Sequence, residues 1–294
     1  MRLGFIGLGS AGKALARAMA RAGIEIAGVA SRDRRRAAEI ATELPGCQAM
    51  TSQEAVDRVD IVFLTVPDDQ IEPVCDSLRW RAGAAAVHCS GALPATVLDS
   101  AARAGAMIGS CHPLQVLTGG PNDAELLAGS WFGIKADEPL RSELTKLVEA
   151  IGGYPISVSA EGKALYHASA MFAAGGVVAL VAAAADIWET FGHGREDGLA
   201  ALLPLVTGAV TQLQARGLPG ALSGPMARGD AGTVERHLAA MSETTPELIP
   251  LYRELGRLMV GLSRELGRAD PASLDQIVEL LQPVNERPLA PDQP

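Results

Sequence analysis

Over residues 1–159, short apolar runs alternate with stretches of helical period. The runs are Arg2–Ile6, Ile24–Ala30, Ile61–Val66, Ala84–Cys89, Ala106–Ser110, Trp131–Ala136 and Pro155–Ser159, and Pro139–Ile151 reads as a helix before the last of them. Strands alternating with helices predict an α/β domain, a doubly wound, mostly parallel sheet covered on both faces. After Ser159 the pattern is helical only: a long stretch from Ala160 to about Thr190, then Gly198–Arg216, Ala231–Met241, Pro246–Gly267 and Pro271–Leu281. Three of these starts carry capping signals, Asp230, Thr244-Thr245-Pro246-Glu247 and Asp270-Pro271. The chain therefore divides into an α/β domain over 1–159, an all-helical domain over 160–283 and a proline-rich tail over 284–294. Within the helical part, Ala168–Ala185 has Ser169 as its only polar side chain. It lacks an aromatic belt and is closely bounded by His167 and Asp186, so the expectation is the buried centre of a helical domain and not a membrane span.

The first strand runs into Gly7-x-Gly9-x-x-Gly12, which opens a helix over Ser10–Ala22, and a second strand follows. This is the βαβ setting in which such glycines cradle a dinucleotide. Gly7 makes the tight turn, Gly9 lets backbone N–H groups approach a diphosphate, and Gly12 lets helix and strand pack closely. Leu8, Ser10 and Ala11 complete the loop, and the diphosphate would lie at the positive end of the helix. The 1–159 domain is thus a Rossmann-type dinucleotide-binding domain.

Where such a site selects the ribose, the chain reads Ser31-Arg32-Asp33-Arg34-Arg35-Arg36. A guanidinium there makes paired hydrogen bonds to a 2′-phosphate, which points to NADP(H). A shift of register by two residues would instead present Asp33, and the arginine run also fits the solvated start of a helix.

Composition narrows the function further. With 294 residues, 48% hydrophobic and 20% charged, the chain is globular, and a net charge of −9 argues against nucleic-acid or anionic-membrane surfaces. Cys47, Cys75, Cys89 and Cys111 show no C-x-x-C spacing and no metal-ligand pattern. With the first strand so close to Met1, the chain is expected to be cytoplasmic.

Ligands in doubly wound sheets bind beyond the carboxyl ends of the strands. Val66-Pro67 ends one strand, where its extended backbone could flank a cofactor ribose. His88-Cys89-Ser90-Gly91 ends the next: Ser90 is a candidate donor to a substrate oxygen, and His88 reads as a satisfied buried histidine. His112-Pro113 follows Ala106–Ser110, and His112 is a candidate acid, base or carbonyl polariser. Lys163 and His167 open the long helix four residues apart, on one face. Hydride addition leaves charge on an oxygen or nitrogen, and Lys163 is the first candidate to stabilise it and supply a proton. In Gly224-Pro225-Met226-Ala227-Arg228-Gly229-Asp230, Arg228 either clamps a substrate carboxylate or organises the turn with Asp230.

Taken together in this order, Gly7-x-Gly9-x-x-Gly12, Ser31-Arg32, His88-x-Ser90-Gly91, Ser110-x-His112-Pro113, Lys163-x-x-Tyr166-His167 and Gly224-Pro225-x-x-Arg228-Gly229-Asp230 resemble a bacterial family. Its members join a Rossmann-like NADP-binding domain to a helical C-terminal domain of unassigned function. More distantly the chain is similar to ketopantoate reductases, β-hydroxyacid dehydrogenases, pyrroline-5-carboxylate reductases and prephenate dehydrogenases. The resemblance implies a helical domain like that of 6-phosphogluconate dehydrogenase, dimerisation through that domain, and NADPH-dependent hydride transfer to a small 2-oxo acid, ketopantoate being the most concrete substrate. A cyclic imine, a prephenate-like substrate, or NADP sensing without catalysis are the alternatives. Lys163 matches the catalytic lysine of the β-hydroxyacid dehydrogenases and ketopantoate reductases, and His167 stands where they carry Asn.

Overall fold

A computed structural model of the chain describes residues 1–283. Contacts divide it into two compact units, Met1–Gly175 and the residues from Gly176 onward.

In chain order the first unit runs β1 (Leu3–Ile6), α1 (Ser10–Arg21), β2 (Ile26–Ala30), α2 (Arg34–Glu43), β3 (Gln48–Ala49), α3 (Ser52–Arg58), β4 (Ile61–Leu64), α4 (Asp68–Asp76), β5 (Ala85–His88), α5 (Asp99–Arg103), β6 (Met107–Pro113), β7 (Trp131–Ala136), α6 (Leu140–Ala150), β8 (Tyr154–Ser157) and α7 (Lys163–Ala173). The eight strands lie in the order β3-β2-β1-β4-β5-β6-β7-β8, and every neighbouring pair is parallel except β6 with β7. The expected doubly wound, mostly parallel sheet is therefore present. Strand order reverses between β1 and β4, which opens the crevice at their carboxyl ends.

Alternate side chains of each strand feed two cores, one on each face. Phe5, Val29, Phe63 and Val87 pack with Leu15 and Met19 of α1, Ile40 of α2 and Leu144 of α6. Ile6, Ala30, Leu64 and Ala86 pack with Val56 of α3, Ile71 of α4 and Ala101 of α5. Across β1 and β4, Phe5 and Phe63 stack with ring centroids 5.1 Å apart. Burial on both faces is why these strands read as continuous apolar runs.

Two departures from the pattern matter for the site. β3 has two residues and leaves no periodic signal. β6 continues past Ser110 to Pro113 because it pairs antiparallel with β7, His112 opposite Gly133, so His112 sits inside a strand. The helical pattern does begin after the sheet ends near Ser159. The compact unit nevertheless extends through α7, whose first residue is tied to the strand ends.

The second unit comprises α8 (Gly175–Ile187, entered at Gly176), α9 (Arg195–Gly220), α10 (Pro225–Arg228), α11 (Ala231–Thr244), α12 (Ile249–Leu266) and α13 (Pro271–Leu280). Asp230 and Asp270 cap α11 and α13, accepting from Thr233 N and Ser273 N. Its core is built from Met226, Val234, Val260, Leu274, Ile277 and Leu281. The predicted tail over 284–294 lies outside the described residues.

One expectation is overturned. The apolar stretch Ala168–Ala185 is not a buried central helix: it breaks at Ala174 into α7 and α8, and α8 buries only Ala185. Phe172 is 72% exposed and Val178 71%. A helix apolar on all sides needs cover on all sides, and the described residues of this chain leave most of it open. Lys163–Phe191 and Arg195–Arg228 are, by length and composition alone, long and apolar enough to cross a membrane.

Candidate functional site

The loop after β1 has the geometry of a diphosphate cradle. Gly7 has φ +98°, and a Cβ there would stand 2.7 Å from Thr65 C and Val66 N. At Gly12 a Cβ would come within hard contact of Gly7 O, so α1 can start this close to β1 only with glycine. Gly9 is different: its nearest neighbour would be Thr65 O at 3.9 Å, leaving space above it. Gly9 is also the N-cap of α1, no side chain fills the cap, and the first turn holds no acid. The first-turn N–H groups of Ser10, Ala11 and Gly12 thus face a place suited to an anion.

From this loop a cavity of about 330 Å³ runs across the ends of β1, β2 and β4, lined by Gly7, Leu8, Gly9, Ser31, Arg32, Asp33, Arg36, Thr65, Val66 and Pro67 among others. Arg32 and Arg36 are exposed, and their guanidiniums make no hydrogen bond or ion pair with the described residues. Asp33 is the N-cap of α2, its Oδ1 accepting from Arg35 N at 3.0 Å and Arg36 N at 3.3 Å. The carboxylate thus faces its own helix, and the free guanidiniums beside Ser31 suit a 2′-phosphate. The cradle and this donor set fit a phosphorylated dinucleotide.

Further along the same edge a polar cluster forms at the ends of β5 and β6. Lys163, first residue of α7, is 2% exposed. Its Nζ donates to Ser90 O at 3.0 Å and to Ser110 Oγ at 2.9 Å. Burial lowers its pKa to about 8, with Asp68 among the groups opposing the shift. The ammonium ties α7 to two strand ends.

Ser90 departs from its expected role. Its hydroxyl donates to Asp68 Oδ2 at 2.6 Å and accepts from Ala92 N and Leu93 N at 3.2 and 3.1 Å. Those contacts engage it in the turn after β5 and leave it ill placed to donate to a substrate. His88 is the satisfied buried histidine the sequence suggests: Nδ1 accepts from Ser90 N and Nε2 lies 3.2 Å from Pro94 O. Burial holds its pKa down to about 3.

His112 and His167 meet above Gly91. A Cβ on Gly91 would stand 2.6 Å from His167 Nδ1 and 2.8 Å from His112 Nε2, so both ring nitrogens converge on one spot. The rings cross edge to face with centroids 5.8 Å apart. His112 is kept neutral down to about pH 4, first by burial and then by His167 and Lys163. Its other nitrogen, Nδ1, is 3.1 Å from the hydroxyl of Tyr166. Tyr166 is a site residue that the reading of individual motifs passed over. The signal was available in its spacing, since three residues after Lys163 is the same helix face.

These imidazoles form one end of a groove of about 610 Å³, whose walls are Leu114, Gln115, Val116, Ser169, Ala170, Met171, Ala173 and Ala174. Arg228 belongs to the second unit, where its guanidinium is 65% exposed and 4.0 Å from the Asp230 carboxylate that caps α11.

Residues 2–90 match the family described as NADP oxidoreductase, coenzyme F420-dependent, and residues 130–259 match a domain of unknown function, DUF2520. The chain joins an NADP-oxidoreductase Rossmann domain to a DUF2520 domain. Its class is that of the NADP-dependent oxidoreductases, and its cofactor is NADP(H). No curated protein matches the chain. Among solved structures it is similar to protein TM1727 from Thermotoga maritima, with a TM-score of 0.75 and 25% identity over 90% of this chain and 100% of that one. It also resembles 1-pyrroline-5-carboxylate reductase from Streptococcus pyogenes (TM-score 0.62, 17% identity, 90% and 98% covered). A reductive aminase from Aspergillus terreus, solved with NADPH and ethyl levulinate, gives a TM-score of 0.63 at 17% identity with 94% and 98% covered. The last two likenesses are of fold.

Proposed function

We propose that this NADP-oxidoreductase chain reduces a C=O or C=N group of a small molecule held in the groove beside His112 and His167. The observation that carries this is the sharing of one sheet edge: the Arg32 cavity lies at the ends of β1, β2 and β4, and the histidine pair at the ends of β5 and β6. NADPH, when bound, supplies a hydride. The residues of the chain do the rest. His112 Nε2 and His167 Nδ1 meet the charge that develops on the accepting oxygen or nitrogen. His167, exposed where His112 is half-buried, is the ring through which water delivers the proton that completes the reduction. Lys163 acts from behind, holding α7 against Ser90 and Ser110.

A 2-oxo acid, with ketopantoate first, is the substrate that the sequence resemblance supports. A cyclic imine is the second, supported by the names of the reductases that share the fold. The test is NADPH oxidation with ketopantoate, other 2-oxo acids, cyclic imines and prephenate. Turnover with one class and not the others names the substrate. Tight NADPH binding with no turnover across the panel would sink the reductase reading and leave a sensor.

We further propose a homodimer formed through the helical part. Leu165, Phe172, Val178 and Leu205 are 78, 72, 71 and 70% exposed, large apolar side chains that a second copy would cover. Sedimentation should give twice the chain mass, and the double variant Phe172→Glu, Leu205→Glu should shift the protein to monomer. A wild-type monomer that partitions into lipid vesicles would refute the dimer and favour a membrane.

A further inference from the structure

We infer that Tyr166 is a positioning residue that fixes the tautomer of His112, so that Nε2–H is presented as a donor to the group being reduced. The inference rests on the groove being the reacting end, and it adds a residue that no motif of hydride transfer assigns.

The geometry starts on β7. Gly133 lies opposite His112 in the β6–β7 ladder, and a Cβ there would sit 3.0 Å from Tyr166 Cζ and from its hydroxyl oxygen. The phenol therefore rests on a glycine, a place where no larger residue fits without displacing it. From that seat the hydroxyl is 3.1 Å from His112 Nδ1 and 3.5 Å from the His112 carbonyl oxygen. The nitrogen is the nearer of the two partners the hydroxyl can take, and the rings meet edge to face at 5.5 Å with an interplanar angle of 86°. A phenol O–H donating to Nδ1 leaves the single imidazole proton on Nε2. Nε2 is the nitrogen that points at the spot above Gly91.

The groups around His112 keep it neutral. Lys163 and His167 of α7 both disfavour the imidazolium, Asp68 of α4 favours it, and His88 of β5 is itself neutral. Burial outweighs Asp68. A neutral imidazole whose proton has one fixed position polarises a carbonyl or imine by hydrogen bonding, and His112 ends the step unchanged. Without Tyr166 the proton divides between two nitrogens, and part of the population presents a lone pair where a donor is needed.

The experiment is nitrogen-15 spectroscopy of His112 in the full chain without substrate, with kcat and KM measured on the same preparations. Wild type should show Nε2 protonated and Nδ1 as acceptor at pH 7. In Tyr166→Phe the two nitrogens should average toward a mixed tautomer, with kcat down roughly threefold to tenfold, the loss of one directed hydrogen bond, and the KM for NADPH unchanged. Gly133→Ala keeps the hydroxyl but pushes it, and should shift the same signals. Unchanged His112 nitrogens in Tyr166→Phe would overturn the inference. Because the spectrum needs no turnover, it separates this failure from failure of the reductase reading.

Discussion

Replacing Lys163 with alanine should remove most turnover while leaving NADPH affinity unchanged. Lys163 is one of the few buried charged side chains in the first unit, and it contributes through its attachments: Nζ joins α7 to Ser90 O and Ser110 Oγ. Truncation leaves both acceptors without that donor and opens a cavity the length of the lysine stem, with a stability cost of about 1–3 kcal/mol. The effect on rate is expected to be larger. Tyr166 and His167 follow within one helical turn, and displacement of a positioned group by about 1 Å commonly lowers kcat by roughly a hundredfold. Lys163→Met, which keeps the stem, should recover the thermal midpoint but not kcat. Steady-state rates, a melting curve and NADPH calorimetry check the three parts. A folded Lys163→Ala protein with full kcat would refute the role of the anchor.

The second large effect is on cofactor choice. Arg32→Ala should weaken NADPH binding by roughly 30-fold to 100-fold, the value of a charge-assisted guanidinium–phosphate contact, and leave NADH binding within about twofold because NADH has no 2′-phosphate. Arg36→Ala should act in the same direction more weakly, since Arg36 also lines the cavity but stands in the first turn of α2, four residues on from Arg32. Asp33→Asn is the control, since it retains a side-chain oxygen to cap α2 and should change neither affinity much. Equal losses for NADPH and NADH in Arg32→Ala would show that the arginine holds something other than the ribose phosphate.

Much of the site was legible along the chain. The glycine triplet, the arginine at the end of β2, and a lysine with a histidine one turn on are local facts, and local geometry carries them into the structure. Ser90 was misjudged because its partners are Asp68 and the amides of Ala92 and Leu93, and no spacing announces that a hydroxyl is already engaged. Tyr166 stands in the Lys163-x-x-Tyr166-His167 motif on the face of Lys163, but its partner His112 lies 54 residues earlier, and no local spacing names that partner. The apolar stretch Ala168–Ala185 misled for a related reason. Apolar periodicity reports that a surface must be covered, and it is silent on what covers it.

The alternation of strands with helices over 1–159, the mostly parallel character of the sheet and the place of the glycine loop are legible in the sequence alone, because each follows from periodicity and turn residues within a few positions. The burial of Lys163, the antiparallel extension that carries His112, and the meeting of His112, Tyr166 and His167 above Gly91 were decided only by tertiary structure. These depend on which strand ends become neighbours, and pairing across fifty residues leaves no mark in any window short enough to read.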